Sequence, residues 1–306
     1  MLSRSNTRER PRIEPEADGA SKGTLSAADS LRLHWPEYLM EAGESALYLF
    51  SACAFATLLW HPASPVQQYL PSDAARRLLM GLAMGATIIA IVLSPWGKQS
   101  GAHFNPAVTL TFYRLRKVAL WDAVLYCAAQ LLGAVAGVAL ASLVLQGAPA
   151  NKAVRYAATI PGIYGDSIAF VAELVISFIL MGAILFASNH EVLAPYTHYF
   201  AAILVAAYIA FESPLSGMST NPARTFGPAL YASYWHAFWI YLIGPPLGML
   251  AAAEVLPLAR EFKAPYCAKL HHHNDKRCIF RHSGPDPTAP ATRQSASRRF
   301  EPDGFS

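Results

Sequence analysis

The sequence predicts an all-α integral membrane protein, with six transmembrane helices plus two re-entrant half-helices arranged as an inverted repeat. Three observations carry that prediction. Of 306 residues only 14% are charged and 54% are apolar, against roughly 25% charged in soluble domains. Six apolar stretches, of which those at 78–93 and 198–211 are short for a bilayer crossing, are separated by polar segments. Two ten-residue polar segments, SGAHFNPAVT at 100–109 and SGMSTNPART at 216–225, share six positions and fall in matching places of the two halves.

Taken in order, residues 1–36 carry Arg4, Arg8, Arg10, Arg12, Lys22 and Arg32 among Glu, Ser and Pro. They read as a disordered basic tail with no apolar core of a cleaved leader. The first span covers 40–60 and ends on Trp60, a residue suited to the membrane interface. Glu41 and Glu44 stand at its start, where headgroups would tolerate them. The second span, 78–93, stops at the sequence SPWG and leads into the first polar motif, whose half-helix runs to about residue 112. Arg114, Arg116 and Lys117 follow at once. A third span, 121–145, holds the pair Gly133 and Gly137, a spacing that lets helices approach closely. Residues 146–167 form a polar loop.

The second half repeats the plan, with spans at 168–187 and 198–211, a second half-helix to about 231, and a last span at 236–253. The channel-like domain is thus 37–256, with halves at about 37–146 and 167–256. Three spans per half is an odd number, so the second copy enters the bilayer upside down relative to the first. The basic cluster at 114–117 lies on the same side as both tails, which assigns that side to the cytoplasm. Arg76, Arg77, Lys152 and Arg155 fall on the other.

Asparagine is among the best residues to cap a helix, and proline is favoured just after it. Asn105 and Asn221 therefore read as N-caps, with Pro106 and Ala107, then Pro222 and Ala223, opening the two half-helices. Each cap uses its side-chain oxygen and leaves its amide NH2 as a donor pointing away. Two such ends meeting at mid-membrane place two donors and two positive dipole ends at one point. A cation or excess proton is repelled there, whereas a neutral hydroxylic molecule is accepted. Arg224, three residues after Asn221, shares its helix face and faces the same passage; the first repeat has Val108 instead. Residues 101–103 and 217–219 precede the caps in non-helical backbone, whose carbonyls form an acceptor ladder. His103 reads as a hydrogen-bonded wall residue of the cytoplasmic approach rather than a pH gate.

On these paired Asn-Pro-Ala motifs and Arg224, the chain resembles the aquaporin and glycerol-facilitator family, the major intrinsic proteins, over about 37–256. The runs GAHFNPAVT and WIYLIGP are most similar to nodulin-26-like channels and their bacterial relatives. The resemblance implies a passive channel for water and/or small neutral solutes, not an enzyme, in a cell membrane with both termini cytoplasmic. It also implies a homotetramer with one pore per subunit, and no nucleic-acid partner. Glu41 and Glu173 match the family's buried glutamates, expected to hold the backbone carbonyls of the re-entrant loops. Arg224 matches one member of a four-residue constriction, whose others match Ile209, Met218 and either Met84 or Gly85. Water-selective members usually have histidine at the place of Ile209 and a large aromatic in the second span. Here both are missing, and Thr225 replaces the aspartate of glycerol facilitators. Tyr241 and Leu242 stand where water channels tend to have two aromatics. The alternatives are a facilitator mainly for glycerol, urea or metalloid acids, or a non-conducting membrane scaffold.

No nucleophile and base pair, ligand cluster or nucleotide loop stands within the spans; His198 and His236 fall at span ends, an interfacial placement. Cys53 and Cys127 lie in spans and read as packing residues. Residues 257–306 form a cytoplasmic tail, disordered beyond Ser283. It carries CAKLHHHNDKRCIFRH, in which Cys267 with His271 and Cys278 with His282 make two Cys-x3-His units. These either bind zinc or form part of a basic, His-rich strip against anionic lipid. No other cofactor is expected.

Overall fold

The computed structural model describes residues 25–190, 192–258, 265–272 and 274–282. Among these, six helices are long and apolar enough to cross a membrane, and the chain is a multi-pass membrane protein. The first span, Ala27–Trp60, starts thirteen residues earlier than its apolar run. Ser26 caps it by accepting from the Asp29 N–H, and Asp29 complements the dipole in the first turn. Composition placed residues 27–36 in the disordered tail. Tertiary contacts keep them helical instead: His34 Nδ1 lies 2.7 Å from Asp122 Oδ1, and the Tyr38 hydroxyl donates to the same oxygen at 2.6 Å. The basic residues Arg4 to Lys22 lie outside the described residues.

The second span is Asp73–Leu93, capped by Ser72, and the third is Leu120–Val144. The fourth is Asp166–Ser188. The fifth runs from Thr197–Ala207 through a π-turn at Tyr208–Glu212 into Ser213–Ser216, and the sixth is Phe238–Val255. Between spans two and three sits the first half-helix, Pro106–Arg114; between five and six sits the second, Pro222–Ala232.

Lipid chains are as apolar as leucine, so helices associate in a bilayer through close packing rather than water exclusion. Small residues supply it here in both halves. Gly133 and Gly137 of the third span lie directly on the carbonyls of Ala42 and Ala46 in the first, where a Cβ would strike backbone. In the second half Gly248 of the sixth span lies on the Leu174 carbonyl of the fourth. Gly244, four residues before it, faces Glu173 Cβ, which a Cβ of its own would approach to 3.2 Å. Across the two halves, Gly81 and Gly85 of the second span abut the Ala206 and Ala202 carbonyls of the fifth. Large side chains such as Leu132, Leu143, Ile203 and Phe211 point outward, the arrangement expected of a surface solvated by lipid or by neighbouring subunits.

Candidate functional site

The two half-helices meet end to end through their caps. Asn105 Oδ1 accepts from the Ala107 N–H at 2.9 Å, and Asn221 Oδ1 accepts from Ala223 and Arg224 at 3.0 and 3.3 Å. Each amide then reaches across: Asn105 Nδ2 donates to the Thr220 carbonyl and Asn221 Nδ2 to the Phe104 carbonyl, both at 2.8 Å. This reciprocity is what a two-fold relation between the halves requires. The caps have nearly the same backbone, φ −152° and ψ 115° or 110°. An amide carries two N–H donors, and among the described residues no protein acceptor takes the second one of either asparagine.

The loops before the caps repeat one backbone pattern. Gly101, Ala102 and Phe104 have φ of 100°, 57° and 32°; Gly217, Met218 and Thr220 have 82°, 54° and 52°. Left-handed backbone at residues other than glycine costs on the order of 1 kcal/mol or more each. Two buried carboxylates offset that cost. Glu41 accepts from the His103 and Phe104 N–H groups at 2.9 and 2.7 Å, and from Gln130 Nε2 at 2.7 Å. Glu173 accepts from the Ser219 and Thr220 N–H groups at 2.6 and 2.8 Å, and from the Ser216 hydroxyl at 2.8 Å. The expectation that these glutamates hold carbonyls is corrected by chemistry: a carboxylate accepts, so it takes the N–H groups, while the carbonyls of Phe104 and Thr220 accept from the two asparagine amides instead.

The headgroup placement of Glu41 and Glu44 is also overturned, since both are buried. Glu44 accepts from the Ser100 hydroxyl at 2.8 Å, as Glu173 does from Ser216. Ser100 and Ser216 in turn accept from the N–H groups of Ala102 and Met218, both at 3.0 Å. Their carbonyls accept from the hydroxyls of Tyr126 and Tyr241, at 2.8 and 2.5 Å. Sequence reasoning missed Glu44, Tyr126 and Gln130. The helical stripe of Glu37, Glu41 and Glu44 and the matching Tyr positions in the two halves were the available signals.

On the Arg224 side of the caps lies a vestibule of about 270 Å³, lined by Met84, Ile209, Met218 and Arg224 together with Tyr48 and Met80. Of the two candidates in the second span, Met84 reaches it, whereas Gly85 packs against the fifth span. Ile209 sits on the π-turn, a local widening of the helix that Ser213 closes by donating to its carbonyl at 2.8 Å. Arg224 Nη1 donates to the Ala157 carbonyl at 2.7 Å and to Thr159 Oγ1 at 2.8 Å. Those partners aim the guanidinium and were not legible beforehand.

On the opposite side His103 is buried and hydrogen-bonded. Its Nδ1 lies 3.0 Å from Thr109 Oγ1 and its Nε2 2.8 Å from the Ala268 carbonyl. The ring is stacked between Phe112 and Phe280, each at 5.3 Å. Part of the shell around His103 is therefore the tail. Within the tail the ligand atoms of Cys267, His272, Cys278 and His282 all lie within 4.8 Å of one another. His271, expected as a ligand, is replaced by His272; its own ring stands edge-on to His198 at 5.3 Å. The backbone here turns His272, not His271, toward the Cys267 sulfur, Nδ1 to Sγ at 3.0 Å. Cys278 and His282 do pair, Sγ to Nε2 at 3.2 Å. The Cys278 thiol is pushed down to about 4, first by its hydrogen bond with Cys267 and then by His282. Cys267 is pushed up by the same bond and by burial. His198 is buried beneath the tail rather than interfacial, while His236 is exposed, 3.6 Å from Asp166.

The sequence matches the major intrinsic protein family over residues 28–256. It is 33% identical over 180 residues to a probable aquaporin NIP-type of Nicotiana alata, covering 58% of this chain and 64% of that protein. It is 32% identical over 262 residues to an aquaporin PIP-type of Atriplex canescens, covering 76% and 91%. The chain spans somewhat less than two thirds of the NIP-type relatives. Among solved structures, the fold is similar to the aquaglyceroporin from Plasmodium falciparum, with TM-score 0.60 and 22% identity over 73% of this chain and 98% of that one.

Proposed function

Because the chain belongs to the major intrinsic protein family, we propose that it is a passive transmembrane channel for water and small neutral solutes. The observation that carries the reading is the reciprocal bonding of Asn105 and Asn221. It sets two half-helix N-termini face to face, with one amide N–H of each left for a passing molecule. Positive dipole ends at that point oppose cations and protons, while the amide donors and those loop carbonyls not bonded within the protein replace the hydrogen bonds a neutral solute leaves behind in water. Arg224, held by Ala157 and Thr159, adds a fixed charge on the extracellular side. Both termini are then cytoplasmic, the membrane is the cell membrane, and the unit is a homotetramer with one pore per subunit.

The vestibule favours a broad solute range. Met84, Ile209 and Met218 supply an apolar, flexible wall opposite Arg224, with no histidine to narrow it. Stopped-flow light scattering on proteoliposomes tests both statements, with water, glycerol and boric acid as permeants. Flux of water and solutes in the native chain, with solute flux lost in Ile209→His, supports the broad-solute channel. Water flux alone would overturn the solute range, and no flux of any permeant would overturn the channel in favour of a membrane scaffold.

A further inference from the structure

The tail does more than place cysteine beside histidine. Residues 265–272 and 274–282 lie on the side of the caps opposite Arg224 and touch the loop before Asn105 and its surroundings from several directions. The Leu270 N–H donates to the Gly101 carbonyl at 3.1 Å, and the Ala268 carbonyl lies 2.8 Å from His103 Nε2. Both partners belong to the loop that leads to Asn105. Phe280 stacks flat on His103 and edge-on to Tyr126 of the third span, at 6.0 Å. Arg277 donates to the Leu33 carbonyl at 2.9 Å and lies 3.7 Å from buried Glu37, both on the first span. Beyond the first half-helix, Lys117 exchanges backbone and side-chain bonds with Arg281 and Tyr266. His198 of the fifth span faces His271.

A short segment with neither helix nor strand buries too little to hold such a shape by itself. The four-donor cluster supplies what is missing. Tetrahedral zinc, with bonds of about 2.3 Å to sulfur and 2.0–2.1 Å to nitrogen, sets its donors roughly 3.3–3.8 Å apart. Here Cys267 Sγ lies 3.0 Å from His272 Nδ1 and Cys278 Sγ 3.2 Å from His282 Nε2, and the whole set falls within 4.8 Å. Two thiolates with two imidazoles suit zinc and exclude the hard oxygen-seeking cations. The surroundings fit as well. The Lys269 N–H donates to Cys267 Sγ at 3.3 Å, and the Tyr266 ring packs against both ligating imidazoles at 4.8 and 4.9 Å. Lys269 Nζ closes the loop by donating to the Lys276 and Arg277 carbonyls.

We propose that Cys267, His272, Cys278 and His282 bind one zinc-class divalent cation, and that this knot seats the tail as a cap over the cytoplasmic mouth. The metal site stands on its own donor geometry; the capping of a conducting pathway rests on the channel reading. Metal is bound at one equivalent per full-length chain, and cobalt(II) substitution gives a thiolate-to-metal charge-transfer band. Both are lost in Cys267→Ser/Cys278→Ser. Removing the metal with a membrane-permeant chelator raises hydrogen exchange at 265–282 and at 101–104, and raises proteoliposome water flux several-fold. The double variant starts at that raised flux and ignores both chelator and zinc. Sub-stoichiometric metal, or binding that survives the double substitution, overturns the site. Exchange and flux that are unmoved by metal removal overturn the cap. Exchange that responds while no state conducts water leaves the metal-seated tail standing and strikes the channel reading instead.

Discussion

Glu173 gives the most direct test of how side-chain chemistry holds the pore loops. Its carboxylate accepts from the Ser216 hydroxyl and from the Ser219 and Thr220 N–H groups, at 2.8, 2.6 and 2.8 Å. Hydrogen bonds to a charged acceptor contribute roughly 1.5–3 kcal/mol each, and an orphaned buried donor costs about 1–3 kcal/mol. Glu173→Ala therefore costs about 5 kcal/mol or more locally, comparable with the whole stability of many domains. It also leaves Met218 and Thr220 in left-handed backbone with nothing to hold them there. Glu173→Gln keeps one accepting oxygen but turns an NH2 donor toward an existing donor, and costs roughly 2–4 kcal/mol. Thermal unfolding of purified protein, followed by size-exclusion chromatography, should rank native above Gln above Ala, and water flux should follow the same order. An alanine variant that unfolds within a degree or two of native and conducts normally would refute the argument that this carboxylate fixes the loop.

Arg224→Val removes a unit charge that opposes a cation about 6 Å away by about 3 kcal/mol at an effective dielectric near 20; proton leak measured with a pH-sensitive dye should rise tenfold to a hundredfold. Thr159→Val keeps that charge but takes away one of its two anchors, and should produce a smaller rise in the same assay. Ile209→His narrows the vestibule, and glycerol and boric acid permeability should fall about tenfold or more with water flux largely kept, a difference of about 1.4 kcal/mol in barrier. Gly137→Leu drives a side chain into the Ala46 carbonyl and should cost at least the roughly 1–3 kcal/mol of ordinary overpacking, read as loss of monodisperse protein in detergent.

Local chemistry made much of this protein legible in advance. Asparagine before proline caps a helix wherever it stands, so the two half-helices and their caps followed from two tripeptides, and hydrophobic length marked six spans. The duplicated ten-residue segment, with three spans per half, implied the inversion. Arg224 followed from its place three residues after Asn221, whereas Ile209 and Met218 came only from the family resemblance that these motifs carry. What tertiary structure decided are the partners that approach from far along the chain. Which face of the second span reaches the vestibule depends on where the fifth span lies, and this separates Met84 from Gly85. Glu44 was placed among headgroups because span ends are normally wet; the loop carrying Ser100 folds back over it and makes it interior. Residues 27–36 have a composition typical of tails and are helical because distant groups hold them, Asp122 of another span at His34 and Arg277 of the tail at the Leu33 carbonyl. In the tail cluster His272 stands beside Cys267 where the spacing suggested His271, because the backbone turns the His271 ring toward His198 of the fifth span instead. Capping and hydrophobic length act within a few residues and so appear in sequence, whereas the satisfaction of buried polar groups is settled only when distant backbone arrives.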